Sequence, residues 1–424
     1  MHPAISTPRG RGCQTRYNAP VKHTITAAAS ALAIVTLAGL LAPRSPAAAA
    51  DPASWNPKAA AAYLDQRSTW WSTWPNAQRD RGTFCVSCHT AAPYAIARPA
   101  LRASLGETAP SPAEAALIAN VAKRVTMWKD VEPFYPDQTR GLPKTSESRG
   151  TEAILNALIL SSRDARAGSL GDDARRAFDN MWALQFRNGE RSGAWAWLNF
   201  HYEPWEAEGS AYYGAALAAI AVGVAPGNYA AAPEIQDRLK ALREYLVRGN
   251  DTQHLFNRVT LLWASASWAG RAGGVVGSGT GRSERSGGPG AAESGTDGFD
   301  GAGGLLTADQ QRAIVDASLR VQQDDGGWSM ASLGAWKRGD GTPLETRSDG
   351  YATGLVAYVL QASGDPRAQP QVTRALAWLV KNQDPAGMWL ASSLNKQRDP
   401  ASDAGRFMSD AATAYAVLAL TQAP

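Results

Sequence analysis

The sequence predicts an all-α protein built as an (α/α)6 toroid, and three observations carry that prediction. The first is an internal repeat: Ala313 to Ser363 is matched by Val372 to Gln422, and both Trp328 to Trp389 and Asp349 to Asp410 span 61 residues. The second is a shared grammar within each unit. An amphipathic helix of 3.6 period leads through a Gln and a Gly-x-Trp or Gly-Gly-Trp turn, then a polar loop, to a helix that is small and apolar on nearly all sides. The third is recurrence of that order upstream, giving six helix pairs in all, enough to close a ring with the apolar helices lining its centre.

Taken in chain order, residues 1–50 read as an export signal. Arg9, Arg11, Arg16 and Lys22 precede the apolar run Thr24 to Leu41, and the small residues Ala47 to Ala50 offer a cleavage site before Asp51. An uncleaved anchor is the alternative, since the run is near the lower length of a spanning helix. The first pair is Lys58 to Trp71 with His89 to Leu105, where Pro93 suits a first turn and Pro99 implies a kink or an early stop. The second is Pro112 to Trp128 with Thr151 to Leu160. The third is Asp173 to Gln185, the turn Gly193-Ala194-Trp195, and Gly209 to Val222. The fourth is Pro233 to Arg248 with Asn257 to Trp268. Residues 271–304 are Gly- and Ser-rich with almost no large apolar side chain, which predicts a disordered insertion between helix pairs rather than a domain boundary. The two best repeats complete the chain, so residues 51–424 form one toroid domain.

Loss of the signal removes five basic residues and no acidic one, leaving 37 basic against 38 acidic. The pI of about 8.9 therefore belongs mostly to the signal, and no nucleic-acid surface is expected. No later stretch is apolar enough to span a bilayer, so the mature chain is expected to be soluble and periplasmic or otherwise extracytoplasmic.

Of three cysteines, only Cys85 and Cys88 remain after cleavage, in the run Cys85-Val86-Ser87-Cys88-His89. Cys-x-x-Cys-His is the attachment signature of c-type haem: two thiols add to the vinyl groups and the adjacent histidine reaches the iron. The expectation is one covalent haem c held by Cys85 and Cys88, with His89 as axial ligand. Met127 is the distal candidate nearest in sequence; Met330, Met408, His201, His254 or an open position are the others. A disulfide or redox dithiol is the competing reading of the cysteines. A zinc site lacks a second Cys/His pair.

The Gln…Gly-x-Trp turns resemble the QW motifs of the squalene–hopene cyclase and oxidosqualene cyclase superfamily. The resemblance covers most of the mature chain. It implies that Gln323/Trp328, Gln383/Trp389 and Gln185/Trp195 tie neighbouring outer helices together, with each Gln capping a helix and stacking on its Trp. The chain carries neither the Asp-x-Asp-Asp run of the protonating cyclases nor the Asp-Asp-x-x-Asp or Asp/Cys/His zinc patterns of related prenyl-binding toroids.

In such a toroid the loops entering the inner helices ring one mouth of the central cavity. That places Asp349, Asp410, Ser148 or Glu152, Glu206 or Glu208, and His254 or Asn257 around it. Cys88 and His89 join them, because Ser87-Cys88 aligns with Ser348-Asp349 and Ser409-Asp410. Asp349 and Asp410 also read as helix N-caps. Trp263 and Trp268, on an inner helix, are the aromatic pocket candidates.

Three functions follow. The first is a haem protein acting in electron transfer, with a redox partner protein, or in redox chemistry on a mostly apolar small molecule. The second is a non-redox enzyme, either isoprenoid-processing or a polysaccharide lyase or hydrolase, using Asp349, Asp410 and Glu206 or Glu208 as acid and base. The third is a ligand-binding or scaffolding module.

Overall fold

Asn56 opens the first helix by accepting from the amide of Ala59 (3.0 Å) with Pro57 at the first helical position, a favourable start on both counts. The computed structural model describes residues 54–272 and 304–422, with backbone alone over 269–272. The expected export signal lies outside the described residues, as does all but the edge of the 271–304 segment.

Among the described residues the chain is mostly helical, with thirteen α-helices. They are α1 (Pro57–Thr73), α2 (Ala91–Ser104), α3 (Pro112–Thr126), α4 (Asp137–Arg140), α5 (Lys144–Ala167), α6 (Asp172–Ala183), α7 (Ala211–Val224), α8 (Gln236–Gly249), α9 (Leu255–Ala272), α10 (Ala308–Arg320), α11 (Gly350–Ser363), α12 (Gln369–Lys381) and α13 (Phe407–Thr421). Capping boxes at Ser111/Glu114 and Thr307/Gln310 start α3 and α10. α2 runs through Pro99 to Ser104, so of the kink or early stop expected there the early stop does not occur.

The helices alternate in character. α8 buries little beyond Leu239, Leu242 and Leu246, one stripe at helical spacing, whereas in α7 all but Ala211 and Val224 are buried. The buried helices pack in sequence: α2 on α5, α5 on α7, α7 on α9, α9 on α11, α11 on α13, and α13 back on α2. Their small residues allow close approach. A Cβ on Gly354 of α11 would come within 2.5 Å of the backbone nitrogen of Ala416 in α13.

The Gln-containing turns join neighbouring amphipathic helices. Gln185 Nε2 donates to the carbonyls of Gly193 (3.1 Å) and Arg238 in the first turn of α8 (3.0 Å). Gln383 Nε2 donates to Gly387 (3.0 Å) and to Asn56 (3.0 Å), whose amide returns a bond to Gln383 Oε1 (2.6 Å), so the end of α12 is tied to the start of α1. In the third turn the bridging residue is Gln322, not Gln323. Gln322 Nε2 reaches Gly326 (2.7 Å) and Gln371 in α12 (2.9 Å). The spacing explains it, because Gln322 precedes Trp328 as Gln383 precedes Trp389, by six residues. Each indole donates into the last turn of its own helix: Trp195 to Met181 (2.6 Å), Trp328 to Ser318 (2.8 Å), Trp389 to Leu379 (2.8 Å). Gly387 has φ of +94°, and a Cβ there would stand 2.3 Å from the carbonyl of Ala59, so the seam requires glycine.

Candidate functional site

The Cys85–His89 run is held by short-range structure on both sides. After α1 the chain makes a two-residue antiparallel hairpin, β1 (Gln78–Arg79) with β2 (Thr83–Phe84), turning through left-handed Arg81 and Gly82. The next residue, Cys85, donates its amide to Ala77 (2.8 Å) and accepts from the Trp71 indole (2.6 Å) on its carbonyl. Ser87 Oγ then accepts from the amides of Thr90 (3.2 Å) and Ala91 (3.0 Å), capping α2 from inside the motif. The motif therefore forms the entry to an inner helix.

His89 is gripped by rings and by one hydrogen-bonded line. Its imidazole stacks on Phe407 (centroids 4.1 Å apart) and meets the edge of Trp71 (5.0 Å). Nδ1 lies 2.8 Å from Thr90 Oγ1, and Thr90 donates its hydroxyl proton to Asp410 Oδ2 (2.7 Å). Burial, with Arg67 and Arg398 nearby, pushes the imidazole down to about 3, so the ring is neutral at physiological pH.

His89 and Cys88 open into a cavity of about 230 Å³, walled by Trp71, Trp74, Tyr135, Trp205 and Phe407, with Glu206, Arg398 and Met408 among its polar and sulfur-bearing groups. Cys85 lies beneath this lining, 6 % exposed. Both thiols are free. Burial pushes Cys85 up to about 12 and raises Cys88 as well, with the Glu206 carboxyl adding to the shift at Cys88. Thiols held protonated in this way are poor nucleophiles, the reverse of what a redox dithiol needs.

Glu206 is the acidic group of this cavity. It is carried by the 199–210 loop, where Tyr202 and Glu206 form an isolated bridge and Trp197 Nε1 bonds to the Trp205 carbonyl (2.7 Å). Cys88 Sγ donates to Glu206 Oε1 across 3.9 Å. Desolvation pushes the carboxyl up to about 7, against the weaker pull of Cys88 and Lys144. Its neighbour Glu208, expected as an acid or base, is exposed at the start of a 3-10 turn and does not line the cavity. The Tyr202–Glu206 bridge decides which of the two carboxylates turns inward, and that pairing has no signature in composition or periodicity.

The other expected residues divide clearly. Asp349 caps α11: Oδ1 accepts from Tyr351 (2.9 Å) and Ala352 (2.9 Å), and Oδ2 from Met330 (2.6 Å). Both of its oxygens are thus taken by backbone amides, and it faces a separate groove of about 280 Å³ with Asp325, Glu345 and Trp378. Asp410 is no cap. It sits inside the first turn of α13, 2 % exposed, paired with Arg67 (Nε–Oδ1 2.8 Å) and accepting from Tyr63 (2.8 Å). Met127 ends α3 as its C-cap and is absent from the cavity lining, whereas Met408 lines it. Proximity in sequence is a poor guide here, because Met408 arrives on the last helix and α3 runs on the outside.

Glu152 is fully buried against Arg124 (2.5 Å) and serves as an internal ion pair. His201 is exposed, and His254 packs on Trp336 (4.4 Å) and accepts from the Asn257 amide (3.3 Å) away from the cavity. Trp263 packs against Tyr358 and Tyr415 in the core, and Trp268 donates to Ala219 (2.7 Å); neither lines the cavity. Trp71, Trp74 and Trp205 do.

Cys85, Cys88 and His89 are the residues that could hold a covalently attached haem, and of the three Cys88 and His89 line the cavity. Among the described residues no cluster of three or more His, Cys, Asp or Glu side chains has the spacing of a metal site, and no helix is long and apolar enough to cross a membrane. No family model matches the chain, and no curated protein matches it.

Proposed function

We propose that this chain is an exported, single-haem c-type protein on a squalene-cyclase-like (α/α)6 toroid, acting in electron transfer or in redox chemistry on a mostly apolar molecule at the cavity. The toroid is supported by the cycle of packing from α2 round to α13 and back to α2, and by the Gln383–Asn56 bridge from the last amphipathic helix to the first. The observation that carries the cofactor is the state of His89. A neutral ring, held through Nδ1, leaves Nε2 without a hydrogen-bond partner among the described residues, beside two free thiols. That is the donor set a c-type haem takes.

When bound, the haem supplies one-electron exchange at iron. Cys85 and Cys88 would anchor it and His89 would ligate through Nε2, beside the aromatic wall of Trp71, Trp74, Trp205 and Phe407. Glu206, poised near neutrality, takes up or releases a proton inside the cavity. The cavity is smaller than the roughly 300–1,000 Å³ of sites that engulf a drug-sized ligand. Electron transfer through a haem on this motif would require a redox partner protein.

A pyridine haemochrome spectrum with intact mass on the exported protein tests this. A c-type band and a gain of one haem mass are expected, both lost in C85A/C88A; a band-free protein at apoprotein mass refutes the reading. Glu206 favours one alternative, a non-redox acid–base enzyme on an apolar substrate. That reading requires a band-free protein whose turnover is abolished by E206Q.

A further inference from the structure

We propose that Asp410 is a positioning residue for His89, acting through Thr90 and fixing which imidazole nitrogen is free; the consequence for iron rests on the haem reading above. The geometry admits one arrangement of protons. Asp410 receives Arg67 Nε (2.8 Å) and the Tyr63 hydroxyl (2.8 Å) on Oδ1, and Arg67 Nη2 (3.1 Å) and the Thr90 hydroxyl (2.7 Å) on Oδ2. Arg67, which can only donate, holds Oδ1 through Nε and Oδ2 through Nη2, and its charge keeps the carboxyl an anion against the upward push of burial, so the Thr90 hydroxyl donates to it. The single hydroxyl proton of Thr90 is then spent. At 2.8 Å its oxygen can only accept from His89 Nδ1, which therefore carries the ring proton.

Arg67 is itself anchored, donating Nη1 to the Asp403 carboxylate (2.7 Å) and Nη2 to the Asp403 carbonyl (2.8 Å) while lying over Trp70 (4.3 Å). Thr90 and Asp410 are both 2 % exposed, so the line from α1 to α13 to α2 is dry. Inside it, each bond polarises the next. Hydrogen bonding from Nδ1–H to a hydroxyl that is itself bound to an anion makes Nε2 a stronger donor, which favours ferric over ferrous iron. Asp410, expected from the sequence as a catalytic acid, thus touches neither substrate nor cofactor. Its part is to set the tautomer of the imidazole that does.

The test compares T90V, which removes the hydroxyl at nearly constant shape, with T90S, which keeps it, in the exported protein, with circular dichroism to confirm folding. T90V is expected to move the reduction potential to a more positive value and T90S to leave it at that of the parent. An unmoved potential in T90V, or equal shifts in both variants, overturns the assignment by showing that Thr90 acts through packing alone. If the haemochrome spectrum shows no haem, the haem reading fails separately. The same protein then answers through the nitrogen-15 signals of His89. Protonated Nδ1 in the parent, lost in T90V and kept in T90S, upholds the relay; protonated Nε2 in the parent overturns it.

Discussion

Replacing Glu206 by glutamine should change how the stability of this protein depends on pH, by an amount the structure sets. In the cavity the carboxyl is pushed up to about 7 from an ordinary value of 4.5, with desolvation the main cause. Between those values the folded protein holds a proton that the unfolded chain has released, so stability falls as pH rises through the window. The interaction is fully present below about pH 4.5 and gone above about pH 7. At about 1.36 kcal/mol per pK unit the loss is about 3 kcal/mol, and water at the cavity mouth lowers it to about 2–3 kcal/mol. Glutamine mimics the protonated acid at every pH. E206Q should therefore match the parent near pH 4.5 and exceed it by about 2–3 kcal/mol at pH 8.

Urea unfolding at half-unit steps from pH 4.5 to 8 measures both curves, and only their difference is needed. Asp349, raised to about 6, contributes a loss of the same sign, and His89 and His254, lowered to about 3 and 4, contribute losses as pH falls; all three cancel in the subtraction. Parallel curves across the whole range would refute the placement of Glu206 as a desolvated acid.

Three further substitutions probe the frame around the site. G387A meets both a left-handed backbone and a carbonyl 2.3 Å away, whereas G364A, at φ +66° with nothing within 4 Å, meets the backbone strain alone. Unfolding measurements should give about 1 kcal/mol for G364A and about 3–5 kcal/mol for G387A; equal losses would mean the α12–α1 seam is not closed. D349A removes the acceptor of three backbone amides, Tyr351 and Ala352 at the start of α11 and Met330 in the preceding turn. It should cost about 1–2 kcal/mol in unfolding and, in protein carrying the proposed haem, leave the absorption spectrum unchanged; an altered spectrum would show that Asp349 reaches the cavity after all.

Much of the frame is legible in the residues because it is local. Amphipathic and apolar periods set α8 apart from α7 without reference to anything distant, and the 61-residue repeat between Trp328 and Trp389 marks the unit boundaries. Cys85, Cys88 and His89 stand out for the same reason, being one contiguous chemical word. Even the choice of Gln322 over Gln323 as the bridging residue has a local signal, the six-residue spacing to tryptophan that it shares with Gln383.

The roles of the acidic residues were not legible, and the reason is physical. Asp349 and Asp410 occupy equivalent places 61 residues apart, yet one binds three amides of its own repeat and the other binds Arg67, more than 340 positions away in the chain. Glu206 and Glu208 differ only in which way a short loop turns, and Met408 reaches the cavity from the last helix while Met127 stays on the outside. Hydrophobic period and turn chemistry act over a few residues, so they determine which segments become helices and where the Cys-x-x-Cys-His run falls. The ionisation of a carboxylate or the free nitrogen of an imidazole depends on what surrounds it within a few ångströms. In this protein those neighbours come from α1, α2 and α13, which only the folded chain brings together.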